Sequence, residues 1–238
     1  LYLEYHRGTY TSQAYNKKMN RFLEFKYRDA EILQVLASIK RNSWEDYNAS
    51  EFEEGWKIVL RNQFHDIIPG SSIREVYEDS REEYDEAMNI AEVLVERAYE
   101  SLSTKEYNGY HVFNSGSFNR NGLVTIPVGE KKDIVFEGEM GIIFPVQIEG
   151  DNAKIYLENM QPLAFTNLKL KTDANLQKSN FIVSDHAVES EHYVIEWNEK
   201  GQLTKLWDKK LKRNALKGQG NVFEIYEDKP RRFDAWEI

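Results

Sequence analysis

The chain has 238 residues, 41% hydrophobic, 30% charged and 13% aromatic, an ordinary globular composition with length for one or two domains. Thirty-one Lys and Arg against forty Asp and Glu leave a net charge of −9, which argues against a general nucleic-acid or anionic-membrane surface, since both need clustered cations. Zero cysteines exclude disulfides, thiol catalysis and thiolate metal sites and fit a cytoplasmic location, and no apolar run approaches the ~18 residues of a membrane-spanning helix.

The sequence opens on a strand-like Leu1-Tyr2-Leu3 with no turn or cap before it, so the expectation is a piece of a longer chain. The first part is helical in period and carries most of the negative charge. From Tyr15 to about Ile39, Met19, Phe22, Leu23, Ala30, Leu33 and Ala37 recur at three- and four-residue steps and make one apolar stripe. Asn42-Ser43 interrupts it. A second helix is predicted from about Ser50 to His65, with Trp56, Val59, Leu60 and Phe64 inward and Ser50 with Glu53 as a capping box. After Pro69-Gly70 a third runs from about Ser72 to Ser103, its stripe Ile73, Val76, Tyr77, Tyr84, Ala87, Met88, Ala91, Leu94, Val95, Ala98 and Leu102, and Glu78–Glu86 reads as a solvated face.

After Asn108-Gly109 the period falls to two. Strands are predicted over Tyr110–Phe113, Gly122–Val128, Ile142–Ile148, Ala153–Leu157 and His192–Trp197, with Gln202–Trp207 completing a hairpin across Asn198–Gly201. The fold class is therefore α+β and multidomain: a three-helix domain over 1–106, then an incomplete antiparallel β-sandwich over 107–238.

Two clusters could carry chemistry. Glu4-Tyr5-His6-Arg7-Gly8-Thr9-Tyr10-Thr11-Ser12 packs an acid, an imidazole, a guanidinium, two phenols and three hydroxyls into nine residues. Taken by itself it reads first as a polar loop in which Thr11 or Ser12 caps the first helix. Asn62-Gln63-Phe64-His65-Asp66-Ile67-Ile68-Pro69-Gly70-Ser71-Ser72 sets His65 beside Asp66. An imidazole there can ligate a metal and the carboxylate can hold a sugar hydroxyl, or His65 can simply favour the negative end of a helix. One His is not a zinc site, which wants three or four protein ligands. His111, His186 and His192 read as surface or edge residues.

Both clusters match one family. Glu4–Ala14 resembles the segment entering the middle domain of glycoside hydrolase family 38 α-mannosidases, and Asn62–Ser72 resembles that family's His-Asp motif. Val112-Phe113-Asn114-Ser115, Gly220-Asn221-Val222-Phe223, Glu227-Asp228-Lys229-Pro230 and Phe233-Asp234-Ala235-Trp236 are similar to its later signatures, in order along nearly the whole chain.

The resemblance implies a zinc-dependent retaining glycoside hydrolase that removes terminal α-D-mannosyl residues from oligosaccharides. It implies a catalytic barrel before this segment and β-domains after it, which are the chain's expected partners beside the glycan. It makes His65 a zinc ligand and Asp66 a mannose contact, and it leaves the nucleophile and the other zinc ligands in the barrel. Glu4 is the candidate acid/base, although Leu3 stands where some relatives carry an Asp. Tyr5, His6 and Arg7 are candidate wall residues. The isolated chain is expected to be inactive and not to hold zinc tightly. Two other readings stand beside this one: a non-catalytic carbohydrate-binding module, with Trp197 and Trp207 as the residues to test, and a helical scaffold.

Overall fold

A computed structural model describes residues 6–103, 108–172, 180–233 and 235–236. Among them are three long helices, α1 (Ala14–Arg41), α2 (Ala49–Asn62) and α3 (Arg74–Leu102), followed by antiparallel sheets. Glu4 and Tyr5 lie outside the described residues. No described helix is long and apolar enough to cross a membrane.

The chain forms two compact units, and their boundary does not follow the change of hydrophobic period. The first combines Leu1–Arg120 with Asn159–Lys169 and Asp228–Ile238, and the second holds Asn121–Glu158 and Leu170–Glu227.

In the first unit, Leu23, Tyr27, Ala30, Phe52, Val59, Tyr84, Ala87, Ala91 and Leu94 form one buried cluster drawn from all three helices. Helix α1 stops where Asn42 adopts a left-handed conformation, φ 55°, which asparagine tolerates better than most residues. The predicted stripes need correction. Phe22, Leu60, Phe64 and Ile73 are exposed, while Tyr27, Gln34, Phe52 and Ile58 are buried. Leu23, Ala30, Leu33 and Ala37 of α1 face inward as predicted, and two amphipathic side chains share that face. Tyr27 donates to the Ala87 carbonyl at 2.7 Å and Gln34 Nε2 to the Leu94 carbonyl at 2.8 Å, so each buries its body and satisfies its polar atom. Ser50 is not the cap of α2. Asn48 holds that position without a side-chain bond, and Glu53 pairs with Lys57 at 2.6 Å instead.

Tyr27 and Tyr84 differ in a way that a stability measurement resolves. The Tyr84 hydroxyl is buried with no hydrogen-bond partner among the described residues. Tyr84→Phe is expected to cost nothing or to stabilise slightly, whereas Tyr27→Phe loses a bond of about 1 kcal/mol. Burial pushes both phenols up, with nearby Glu charges adding. A phenol whose pKa is raised on folding contributes stability below its unfolded pKa of 10.0 and loses it as pH rises through the folded value. Either Phe variant is therefore expected to flatten the loss of stability above about pH 10, checked by denaturant unfolding at pH 7 and pH 10.5.

Strand β1 (Tyr110–Asn114) runs antiparallel to the first part of β7 (Ala164–Thr172), from Tyr110↔Leu168 to Asn114↔Ala164. Phe113 and Phe165, 4.8 Å between ring centroids, pack on Leu33, Ala37 and Ala98. Asn114 is buried, and its side chain bonds the carbonyls of Phe118, Met160 and Gln161 and the Gly116 amide.

The second unit is built of short strands. β2 (Arg120–Pro127), β6 (Asn152–Met160) and β5 (Val146–Glu149) form one sheet, in which Ala153, Ile155 and Leu157 alternate inward. The predicted strand over 142–148 is two, β4 (Ile143–Phe144) and β5, divided at Pro145, which has no amide to give a ladder. β8 (Ile182–Ser184), β9 (Ala187–Glu189), β10 (Tyr193–Trp197), β11 (Leu203–Asp208) and β12 (Arg213–Asn214) follow in a five-stranded sheet. The β10–β11 hairpin closes as expected, with Gly201 N donating to Asn198 O at 2.9 Å.

Candidate functional site

Helix α2 ends at Asn62, three residues before His65. The end is pinned by a buried network: Ser80 Oγ donates to Asn62 Oδ1 at 2.6 Å, and Asn62 Nδ2 donates to Ile58 O at 3.1 Å and Glu83 Oε2 at 2.6 Å. Arg61 adds an ion pair to Glu83 at 2.7 Å. His65 and Asp66 therefore stand not in the last turn of a helix, as predicted, but on a tight turn after it. That turn is closed by bonds from Ile67 N and Ile68 N to Phe64 O and from Gly70 N to Ile67 O. The helix-end explanation of His65 weakens accordingly, because the dipole effect falls off within the last turn.

The His65 and Asp66 side chains are 79% and 59% exposed, with Nε2 and Oδ2 3.6 Å apart. That separation is beyond a hydrogen bond, so both groups face outward with capacity for a third partner. Tyr77 supports the turn from below. Its hydroxyl donates to Ile67 O at 3.2 Å and accepts from Ser72 N at 2.9 Å. Burial raises its pKa, and the Asp66 charge adds to that rise.

The other cluster lies alongside. His6 takes a left-handed conformation, φ 61°, at the start of a short 3-10 turn over Arg7–Tyr10, and both His6 and Arg7 are exposed. Ser12 does not cap α1. Gln13 occupies that position with φ 50° and no capping bond, and Ser12 Oγ donates to Ala235 O at 2.8 Å.

Two contacts tie the clusters together. Lys17 Nζ donates to both Ser12 O and Ile68 O, the latter at 2.8 Å, and burial lowers its pKa. Gly70 has φ +90°, and a Cβ there would stand 2.6 Å from Ser12 Cβ, so glycine is required by both conformation and space. The structure thus brings His6, Arg7, His65 and Asp66 onto two adjoining loops. Sequence reasoning missed Lys17, Tyr77, Ala235 and Trp236 as supports; only the place of Ala235-Trp236 in a quoted motif marked that segment in advance.

A zinc ion requires more donors than this. Among the described residues no group of three or more His, Asp or Glu side chains converges. The exposed His65 imidazole fits as one donor of a centre whose other ligands come from elsewhere, with the Asp66 carboxylate beside it.

Comparison with known proteins identifies the family. Residues 4–102 match the alpha mannosidase middle domain, and residues 188–238 match the glycosyl hydrolases family 38 C-terminal domain. Alpha-mannosidase 2C1 of Mus musculus is 27% identical over 242 residues, covering 100% of this chain and 22% of the relative, and its Homo sapiens counterpart is 28% identical over 245 residues with the same coverage. An alpha-mannosidase of Saccharomyces cerevisiae is 46% identical over 77 residues, 32% of this chain and 7% of that protein. A crystal structure of an alpha-mannosidase from Enterococcus faecalis V583 shares the fold with a TM-score of 0.62 at 19% identity, over 87% of this chain and 29% of that one. The chain spans about a fifth (22%) of the length of the two mammalian relatives. With the two family models matched in chain order over more than half the sequence, and relatives aligned along all of it, the chain belongs to the glycoside hydrolase family 38 α-mannosidases.

Proposed function

We propose that this chain is part of a zinc-dependent, retaining α-mannosidase acting on terminal α-D-mannosyl residues of oligosaccharides. The observation that carries the reading is the outward-facing His65–Asp66 pair, held by Lys17 and Gly70 beside the loop that bears His6 and Arg7. The family supplies the chemistry to which this arrangement is fitted.

His65 would hold the zinc, whose charge, when bound, organises the hydroxyls of the mannose ring. Asp66, an acceptor with several lone-pair sites, takes hydrogen bonds from those hydroxyls and fixes the ring's orientation. Arg7 offers planar donors and His6 a ring face to the same sugar. Glu4 holds the proton that passes to the glycosidic oxygen as the bond breaks, and later accepts one from water. Retention needs a second carboxylate ~5–5.5 Å from it as nucleophile. On this reading that residue, like the remaining metal ligands, is supplied by the rest of the longer protein. The chain alone is then inactive and binds zinc weakly, and the enzyme works in the cytoplasm.

Proton NMR of an aryl α-mannoside digest with the longer protein tests the reaction. The α-anomer of mannose is expected first, with no release by the 238-residue chain alone. First appearance of the β-anomer, or no hydrolysis by the longer protein, would sink the proposal.

A further inference from the structure

The motif Phe233–Trp236 has no part in the chemistry above, yet its backbone lies against the His6–Ser12 loop. Gly8 N donates to Trp236 O at 2.7 Å, and Ser12 Oγ donates to Ala235 O at 2.8 Å. The Trp236 and His6 rings make a T-shaped pair, 4.4 Å between centroids at 86°, and Phe233 stacks on Trp236 at 5.9 Å and 23°. Trp236 N closes the turn onto Phe233 O at 2.8 Å.

Gly8 shows how close this approach is. It is buried, and a Cβ built on it would lie 2.9 Å from the Trp236 carbonyl carbon and 3.1 Å from the carbonyl oxygens of Ala235 and Trp236. All three neighbours are backbone, so a side chain cannot be accommodated by rotating something flexible. The loop also carries a left-handed non-glycine residue at each end, His6 and Gln13, a conformation that persists only where the surroundings impose it.

The contacts continue past the loop. Ser12, held through its hydroxyl by Ala235, takes Lys17 on its carbonyl and packs on Gly70, four residues from Asp66. We propose that Ala235–Trp236 is a clamp that sets the His6–Ser12 loop for sugar binding, with Trp236 a positioning residue acting through His6 and Gly8. The proposal rests on the α-mannosidase reading. Trp236 touches no reacting atom in this role. It fixes where the imidazole and guanidinium of the loop are presented.

The test uses the longer protein with an aryl α-mannoside and the variants Trp236→Ala, Trp236→Phe, Gly8→Ala and Gly8→Ala/Trp236→Ala. Misplacing a loop that binds ground state and transition state alike raises KM and leaves kcat nearly alone. Trp236→Ala and Gly8→Ala are each expected to raise KM about 10–100-fold, the scale of a misplaced binding group, with kcat within about threefold. The double variant is expected to be no worse than the poorer single one, because both release the same contact. Trp236→Phe keeps an aromatic edge on His6 and is expected within about threefold of wild type.

Wild-type KM in both single variants overturns the clamp. So do effects that multiply in the double variant, or a Phe variant as poor as the Ala variant. Should Trp236→Ala not fold, Gly8→Ala and Trp236→Phe decide alone. An inactive wild-type protein overturns the α-mannosidase reading itself, which separates that failure from a failure of the clamp.

Discussion

Replacing His65 with alanine is expected to lower kcat/KM of the longer protein on an aryl α-mannoside by about a thousandfold or more, with the fold unchanged. Residues that merely support metal ligands cost about 10–100-fold when removed, and loss of a ligand costs more, some 4 kcal/mol of transition-state stabilisation for a thousandfold. The fold, by contrast, asks little of this side chain. It is 79% exposed, and among the described residues its neighbours are Asp66 at 3.6 Å and the adjacent Phe64 ring. Circular dichroism and thermal unfolding should match wild type, while zinc per chain, by elemental analysis, falls. A variant that keeps activity within tenfold removes His65 from the site, whatever the family.

Gly55→Ala is expected to be the most damaging small substitution in the helical unit. Gly55 is buried on α2, where alanine ordinarily gains about 1 kcal/mol in helix propensity. Here a Cβ would fall 1.8 Å from the Tyr27 hydroxyl oxygen and 2.3 Å from the ring carbon that bears it. Tyr27 cannot retreat, since it has no exposed surface and its hydroxyl is bonded to Ala87 O on α3. Overpacking costs roughly 3 kcal/mol or more at such a site, leaving a net loss of about 2 kcal/mol. Denaturant unfolding measures it. The cause is confirmed if Gly55→Ala adds almost nothing on a Tyr27→Leu background, because the two changes then relieve one collision.

Periodicity located the three helices to within two or three residues and found the β1, β6, β10 and β11 strands. Faces were harder. Phe22, Leu60 and Phe64 fit an apolar count yet point outward, while Tyr27 and Gln34 are interior because their polar atoms find carbonyls on α3, a partner no local pattern displays. Strand β3 (Ile134–Glu137) escaped a period-two reading for the same kind of reason: Ile134, Val135 and Phe136 are all buried, so nothing alternates. The candidate site was legible as motifs, and the loops that bear His65–Asp66 and His6–Arg7 adjoin through Ser12, Lys17 and Gly70. Their supports were not legible, because Lys17 and Trp236 act through backbone carbonyls and close approach. Those depend on chain geometry more than on residue type.

The helical unit draws on Asp228–Ile238 as well as on its first 120 residues. A chain synthesised from its N-terminus at ~5–20 residues per second finishes Ser12 roughly 10–45 s before it reaches the carbonyls of Ala235 and Trp236 that receive this loop. The helices can collapse on their own core in that interval, since α1, α2 and α3 are contiguous. The loop bearing His6 and Arg7 cannot be finished. Its assembly is therefore the last event of translation across this segment, and a nascent chain arrested before residue 235 should show native helices with the His6–Ser12 loop still open to protease.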